Sequence, residues 1–260
     1  WTSGPKMIYP RRQHACLTVD GCIYIFGGYK NKKCERWNTN TSKCWTEIPD
    51  MPYEAEGCVA VAKDRKIYVM GGENDDDEYL DTVVVFDTNT TSWTKQRYTM
   101  NTPRLNAAAI LYKNNICIIG GKSSGGHVDG TFESSAEVWS EEEDKFIIEK
   151  SLELTIPKSS FGILLINKDQ QLLAIGGENK YGDSSSLLQR IDDNATMQYS
   201  LECAKNAVST NRGYLEYLGC NHKEIKQMVI EFVKQDGNNL REINIKWRKD
   251  KDVVIAAIIK

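Results

Sequence analysis

The chain has 260 residues, of which 40% are hydrophobic and 27% charged, and its formal net charge is -3. This is the composition of a folded globular protein, and an all-β fold of this length can form one domain. The small net charge gives no overall attraction to nucleic acid or to anionic membranes, and the longest apolar runs are strand-sized, so we expect neither as a partner.

A short apolar run that ends in a glycine pair recurs along the chain. The first glycines of successive pairs are 44, 49 and 56 residues apart, at Gly27-Gly28, Gly71-Gly72, Gly120-Gly121 and Gly176-Gly177. A degenerate fifth copy is predicted at 213–220. Periods of this length indicate a repeat architecture in which each repeat is one structural unit.

Each copy is surrounded by the same predicted elements. A first apolar strand precedes the glycine strand at 14–19, 57–62, 107–112 and 161–166, and a tight turn such as Asp20-Gly21 joins the two. A third and a fourth strand follow, clearest at 82–86 and from Trp93, with counterparts within 37–45, 139–146 and 191–199. Four short strands per repeat predict the blades of a β-propeller.

The repeats resemble kelch repeats, because a glycine pair after an apolar strand is followed by an aromatic residue and then by a tryptophan. The segments Cys34-Glu35-Arg36-Trp37-Asn38 and Ala136-Glu137-Val138-Trp139-Ser140 are similar to a step common in kelch repeats of ubiquitin-ligase adaptors. The resemblance implies an all-β, kelch-type β-propeller with five recognisable four-stranded repeats. Residues 1–200 would hold repeats one to four, and 201–260 a degenerate fifth repeat and the start of a sixth, or a divergent C-terminal segment.

The two ends of the chain predict an incomplete sixth blade. Trp1 has the spacing of a repeat-ending tryptophan, and Val253 to Ile259 is interpreted as an inner strand. Such a ring would be open, or closed by residues outside the chain. Residues 222–235 fit a strand, but Asn221 and Glu224 also form a possible capping box for a helix.

The eight cysteines have no paired spacing that suggests zinc. Several lie in apolar strands, where free cysteine behaves as a small buried hydrophobic residue. We therefore expect reduced thiols and a cytoplasmic protein, with Cys34 and Cys44 as the best disulfide candidates otherwise.

The resemblance also implies where a partner would bind. In kelch propellers, the loops that enter the first strand and those that follow the glycine pair share one face, which usually binds ligands. The residues that this places in a partner-binding site are Arg11, Arg12, His14, Tyr29, Tyr53, Arg104, Asn106, His127, Lys158 and Ser159. Because arginine can hold a carboxylate with two hydrogen bonds, an acidic peptide is one expected ligand. The acidic run from Asp75 to Glu78 is interpreted as a solvated loop.

The function expected from these features is that of a protein-binding scaffold or substrate-recognition module, without a cofactor or a metal. The alternative is a kelch-propeller enzyme or a secreted carbohydrate-binding protein. Catalysis has little support, because the three histidines, His14, His127 and His222, fall in different repeats and lack metal spacing.

Overall fold

The computed structural model describes residues 3–123, 130–166, 171–179, 188–191 and 249–258, together with the single positions 226, 230 and 234. The chain divides into two compact units, Trp1–Asp192 and Asp193–Lys260. Within the described residues, no helix is long and apolar enough to cross a membrane.

The described residues of the first unit form four antiparallel sheets, each built from consecutive strands in sequence order. Blade 1 consists of β1 (Ala15–Val19), β2 (Cys22–Phe26), β3 (Cys34–Asn38) and β4 (Thr46–Ile48). Blade 2 consists of β5 (Val59–Lys63), β6 (Lys66–Met70), β7 (Val83–Asp87) and β8 (Ser92–Lys95). Blade 3 consists of β9 (Ala108–Tyr112), β10 (Asn115–Ile119), β11 (Ala136–Ser140) and β12 (Lys145–Ile148), followed by a short 3-10 helix, Lys150–Leu152. The described strands of blade 4 are β13 (Gly162–Ile166), β14 (Gln171–Ile175) and β15 (Leu188–Ile191). The predicted four-stranded blades are thereby confirmed for repeats one to three, and three strands of the fourth repeat are described.

The glycine pairs hold neighbouring blades together through the backbone. Gly27 has a φ of 62°, and a Cβ there would lie 2.7 Å from the carbonyl oxygen of Ala55 in the next blade. Its neighbour Gly28 donates its N–H to that same carbonyl at 3.0 Å. Equivalent bonds join Gly72 to Arg104 and Gly121 to Lys158, both at 2.8 Å. The glycines recur because the next blade's backbone approaches too closely for a side chain.

The apolar core lies between successive blades, because side chains alternate between the two faces of each sheet. We call the face that packs against the following blade the exit face and the opposite one the entry face. The exit face of blade 1 includes Phe26, whose ring centroid lies 5.9 Å from that of Phe86 and 5.4 Å from that of Trp93 in blade 2. Further apolar clusters join blade 2 to blade 3 and blade 3 to blade 4.

The described cysteines are all free, including Cys34 and Cys44, so the alternative of a disulfide between those two is wrong. Cys34 is buried, and burial raises the pKa of its thiol to about 12. Its Sγ lies 3.4 Å from the carbonyl oxygen of Lys32, to which it can donate.

The predicted strand from Val253 to Ile259 is wrong, because Lys251–Ile258 forms a helix, α1. The carboxylate of Asp250 accepts hydrogen bonds from the backbone N–H groups of Asp252 (3.0 Å) and Val253 (3.4 Å), which caps the helix. Val253 and Ala256, which are three residues apart on one face of α1, are buried. The incomplete sixth blade therefore has no inner strand here.

The three single positions in the second unit, 226, 230 and 234, are helical. Of the two interpretations of 222–235, the helix is confirmed at these positions and the strand is wrong there. The degenerate fifth repeat at 213–220 and Trp1 lie outside the described residues.

Candidate partner-binding surface

In all four described blades, the residue two positions before the first strand has the same unusual backbone conformation. Gln13, Gly57, Asn106 and Ser160 have φ values of 55°, 61°, 53° and 55°. Backbone hydrogen bonds connect these four residues in order. The N–H groups of Gly57, Asn106 and Ser160 donate to the carbonyl oxygens of Gln13, Gly57 and Asn106, respectively, at 2.8 to 2.9 Å. This chain of bonds fixes the entering loops of four blades at one end of the sheets, which we call the loop end.

A cavity of about 450 Å³ opens between the first strands at the loop end. Its polar wall is formed by the side chains of Gln13, His14, Asn106 and Ser160, and alanines, cysteines and Phe161 supply much of the rest. The described residues that line it include no charged side chain. The cavity therefore suits an uncharged group.

Two of the predicted site residues are structural instead. The guanidinium of Arg11 pairs with Glu35 at 2.8 Å, that of Arg104 pairs with Glu137 at 2.9 Å, and all four side chains are fully buried. Arg104 also donates to the carbonyl oxygen of Gly120 at 2.6 Å. The expectation that these arginines offer their charge to a partner is wrong, because each already holds a carboxylate from the third strand of its own blade.

The same carboxylates anchor the chain that leads into blades 1 and 3. Glu35 accepts the N–H of Ile8 at 2.8 Å, and Glu137 accepts the N–H of Asn101 at 2.7 Å. A buried ion pair of this kind is useful only when both partners are present and hydrogen-bonded. Its role here is to fix the path of the entering loop.

In blade 2, apolar residues stand at both positions of the ion pair. In blade 1, Glu35 lies opposite Ile25 of the second strand. The equivalent residue of blade 2 is Val84, which lies opposite Val69, so a valine stands where blade 1 has the glutamate. The arginine position is taken by Ala55, whose carbonyl oxygen accepts from Gly28 as that of Arg104 accepts from Gly72. Both residues are completely buried. Losing both charges together avoids an unpaired buried charge.

Blade 4 keeps a cation without its carboxylate. Lys158 is buried and donates to the carbonyl oxygen of Gly176 at 3.2 Å, the counterpart of the Arg104 bond to Gly120. Gln189 pairs with Ala174 in the register that Glu137 has with Ile118, and no carboxylate among the described residues pairs with Lys158. Burial lowers the pKa of Lys158 to about 8. Its neighbour Ser159 is also buried, so neither side chain is open to a partner.

Tyr53 and His14 are enclosed to different degrees. The hydroxyl of Tyr53 is buried without a hydrogen-bond partner in the described part of the chain, and burial raises its pKa. The hydroxyl of Tyr53, one of the predicted site residues, is thus not open to a partner. His14 lines the cavity, but its Nδ1 is buried and unpaired among the described atoms. Burial and, to a lesser extent, the Arg11 charge lower the pKa of His14, which favours the neutral ring.

Three of the predicted residues remain on the surface of the loop end. The guanidinium carbon of Arg12 lies 4.0 Å from the ring centroid of Tyr29, and Tyr29 is 43% exposed. Stacking of this kind holds an arginine in place while leaving its edge free to donate hydrogen bonds. Asn106 lies at the mouth of the cavity. His127, the tenth predicted residue, lies outside the described residues.

A second, acidic cleft of about 180 Å³ lies beside Tyr29 and Lys30. Its carboxylates come from the loops of blade 2, namely Glu54, Glu56, Glu73, Asp75 and Asp77. A hydrogen bond with Asp75 raises the pKa of Glu54, and Glu56 accepts from the side chain of Gln13 at 3.0 Å. The sequence predicts a solvated loop at Asp75. It does not predict the cleft, because the loop with Glu54 and the loop with Asp75 come together only through the geometry of the propeller.

Comparison with known proteins supports the assignment of the repeats. A family model described as the KLHDC2/KLHL20/DRC7 Kelch-repeats domain matches residues 13–200. A second model, a domain of unknown function (DUF4116), matches residues 225–260. The solved structure of YjhT superposes with a TM-score of 0.64 at 15% identity, over 74% of this chain and 64% of that chain, which shows a shared fold.

Curated relatives match only through part of their length. The spermatocyte protein spe-26 of Caenorhabditis elegans is 31% identical over 175 residues, which is 63% of this chain and 29% of that protein. Kelch-like protein 15 of Mus musculus is 28% identical over 109 residues, 38% of this chain and 18% of that protein. Kelch repeat and BTB domain-containing protein 1 of Ectromelia virus is 28% identical over 132 residues, 49% of this chain and 23% of that protein. The chain thus matches less than a third of each relative.

Proposed function

The chain belongs to the kelch-repeat family, and we propose that it binds a partner protein or peptide through the loop end of its propeller. The observation that carries this proposal is the convergence of four blades on one cavity mouth. Gln13, His14, Asn106 and Ser160 line an uncharged cavity there. Concave sites with a few fixed polar groups are the usual form of a binding pocket.

The exposed pair of Arg12 and Tyr29 lies next to this mouth, because Arg12 precedes Gln13 directly. Arginine and tyrosine are the residue types most often found as energetic hot spots in protein interfaces. The pair therefore supplies flat contact area and hydrogen-bond donors in one place, and it is held by stacking before any partner arrives.

An acidic partner is no longer the best expectation. It depended on cations at Arg11, Arg104 and Lys158, and all three are buried and used inside the blades. Arg12 is exposed instead, and it stacks on Tyr29, which also lines the acidic cleft. A neutral segment in the cavity, flanked by mixed charges, fits the surface better.

In the whole protein, this unit would be the part that recognises a substrate for a ubiquitin ligase, and it would act in the cytoplasm. What supports this role is the similarity of the repeats to those of ubiquitin-ligase adaptors, together with the match to Kelch-like protein 15 and to Kelch repeat and BTB domain-containing protein 1. The free thiols of the described cysteines suit a reducing compartment.

The proposal is tested by affinity capture and mass spectrometry with matched variants. The loop-end variant is Arg12→Ala with Tyr29→Ala, and the control is Asn89→Ala in the turn between β7 and β8, at the opposite end of the sheet. We expect bound proteins to be depleted by the loop-end variant, with at least about tenfold weaker affinity once a captured partner is purified. Equal capture by both variants, or loss of binding in the control, would show that the partner binds elsewhere.

A further inference from the structure

One position in the wall of the loop-end cavity is polar in blade 1 and apolar in the other described blades. It is the residue directly before the first strand, and the side chains there are His14, Cys58, Ala107 and Phe161, all of which line the cavity. The last three are at most 8% exposed. The fold therefore accepts apolar residues at this position and does not require the imidazole of His14.

The ring of His14 has a hydrogen-bonding capacity that the described part of the chain does not use. Its Nδ1 is buried and has no partner there, although most buried polar atoms in proteins are paired. An imidazole also turns about χ2 at small cost, because the torsion to a planar ring has a broad minimum. A ligand in the cavity can therefore meet a ring nitrogen that the described residues leave unpaired.

The groups around His14 keep its ring neutral. Burial has the largest effect in lowering the pKa of His14, and the Arg11 charge lowers it further, whereas Glu35 on β3, which pairs with Arg11, has a smaller opposite effect. The titratable side chains that share the cavity wall are the thiols of Cys16 and Cys58, and burial raises the pKa of both. Blades 3 and 4 contribute no titratable side chain to the described lining. The cavity is thus uncharged at neutral pH.

An uncharged cavity with an unpaired imidazole discriminates between ligands by their charge. A charged group that entered it would lose water without gaining a countercharge. An amide or a hydroxyl both donates and accepts hydrogen bonds, so it matches either tautomer of the neutral ring. The cavity volume of about 450 Å³ lies in the range of ligand pockets and leaves room for such a side chain.

We propose that the loop-end cavity binds an uncharged amide or hydroxyl group of a partner, such as the side chain of a glutamine or a tyrosine, and that His14 selects this group by a hydrogen bond. The cavity belongs to the binding surface of the proposed function, on which the inference therefore rests. Arg12 and Tyr29 would hold the surrounding segment of the partner, whereas His14 would set the chemistry of the group that enters.

Three small probes of nearly the same shape test this selection: benzamide, which is neutral, benzoate, which is an anion, and benzamidine, which is a cation. Each is titrated to millimolar concentrations against the whole chain at about pH 7.5. Binding in the cavity is followed by NMR through the backbone N–H signals of Asn106 and Ala108, so that binding elsewhere is not counted. We expect benzamide to bind at least about fivefold more tightly than either ion, which is the factor that one hydrogen bond contributes. Equal binding of the three probes, or no binding of benzamide, would overturn the proposal.

Variants at His14 test the residue itself. His14→Phe removes both ring nitrogens but keeps a planar ring, and Phe161 shows that this side chain is accepted at the equivalent position. It should weaken benzamide binding by at least about fivefold, whereas His14→Gln, which still donates and accepts, should bind almost as well as the wild type. Asn89→Ala, at the opposite end of the sheet, is the control, and circular dichroism verifies that each variant is folded. Unchanged binding by His14→Phe would show that His14 does not select the ligand.

The pH dependence separates a hydrogen bond to the neutral ring from a structural role. The pKa of His14 is lowered from 6.5, so the ring gains a proton only as the pH falls below that value. The imidazolium no longer accepts a hydrogen bond, and its charge needs water that the bound probe displaces. Wild-type affinity for benzamide should therefore fall between about pH 6.5 and about pH 5, and that of His14→Gln should stay constant.

The same pH profile in the wild type and His14→Gln would overturn the proposal. The capture experiment with Arg12→Ala and Tyr29→Ala would still decide the proposed function in that case, because neither of these side chains lines the cavity.

Discussion

Blades 3 and 4 are built on the same plan, but they treat the buried cation of the entering loop differently. In blade 3, Arg104 meets Glu137, and their hydrogen bonds reach the glycine strand and the entering loop. In blade 4, the hydrogen bond that the described residues show for Lys158 goes to the carbonyl oxygen of Gly176, and Gln189 stands at the register position of Glu137. The difference shows that the ion pair is not a requirement of the fold. It is one of several ways to fill the same site, and each has its own energetic consequence.

The largest effect is expected when the complete pair is broken. Arg104→Ala leaves the Glu137 carboxylate fully buried and without its cation, which should lower the free energy of unfolding by about 3–5 kcal/mol. Urea unfolding, followed by tryptophan fluorescence, measures the loss. The matched control is the double variant Arg104→Ala with Glu137→Val, which copies the Ala55 and Val84 pair of blade 2.

The double variant should recover part of the stability, although not all of it. Asn101 would lose the acceptor that Glu137 now provides at 2.7 Å, and an unsatisfied buried N–H costs about 1–3 kcal/mol. Blade 2 avoids this cost because the corresponding residue is Pro52, which has no N–H. If the double variant were less stable than Arg104→Ala, a buried unpaired charge would not be the cause of the loss.

A smaller effect is expected from the incomplete pair in blade 4, and it depends on pH. The pKa of Lys158 is lowered from 10.5 to about 8 in the folded chain. Between these values the unfolded state binds the proton and the folded state does not, so stability rises with pH, by up to about 3 kcal/mol in total. Below pH 8 both states are protonated and the full cost of burying the charge remains.

Other groups also titrate at high pH, so the contribution of Lys158 to the free energy of unfolding is measured by comparing variants. Lys158→Met should be more stable than the wild type below pH 8, and the difference should shrink towards pH 10. Gln189→Glu, which places a carboxylate at the register position of Glu137, should also reduce the pH dependence, because a nearby negative charge favours the charged amine. Parallel stability curves for the wild type and Lys158→Met would contradict the assignment.

The blades themselves could be predicted from the sequence because their signals are local. Apolar strands, tight turns and glycine pairs recur in phase, and the first strands were located within one or two residues. The second unit was harder, because the β-branched run from Val253 favours a strand, whereas the Asp250 cap and the burial of Val253 and Ala256 produce a helix. Propensity did not decide the structure there.

The site could be predicted only as a region. The position of the loop in the repeat predicts that Arg11 and Arg12 both lie at the loop end. It does not predict which of the two points inwards, because that depends on Glu35, in a strand more than twenty residues away. One signal was present in the repeats. Arginine before the first strand and glutamate in the third occur together in blades 1 and 3, and both are absent from blade 2. Such a joint change indicates contact between the two positions.

The smallest expected effect on stability separates Arg11 from Arg12. Arg12→Ala removes only an exposed stack on Tyr29, so the free energy of unfolding should fall by about 0.5–1 kcal/mol at most. Arg11→Ala should cost several times more, because its guanidinium is fully buried against Glu35. Urea unfolding of the two variants side by side measures the contrast. Partner binding should show the reverse order when the variants are compared under conditions where both are folded. Similar losses of stability for the two neighbours would mean that burial does not divide their roles.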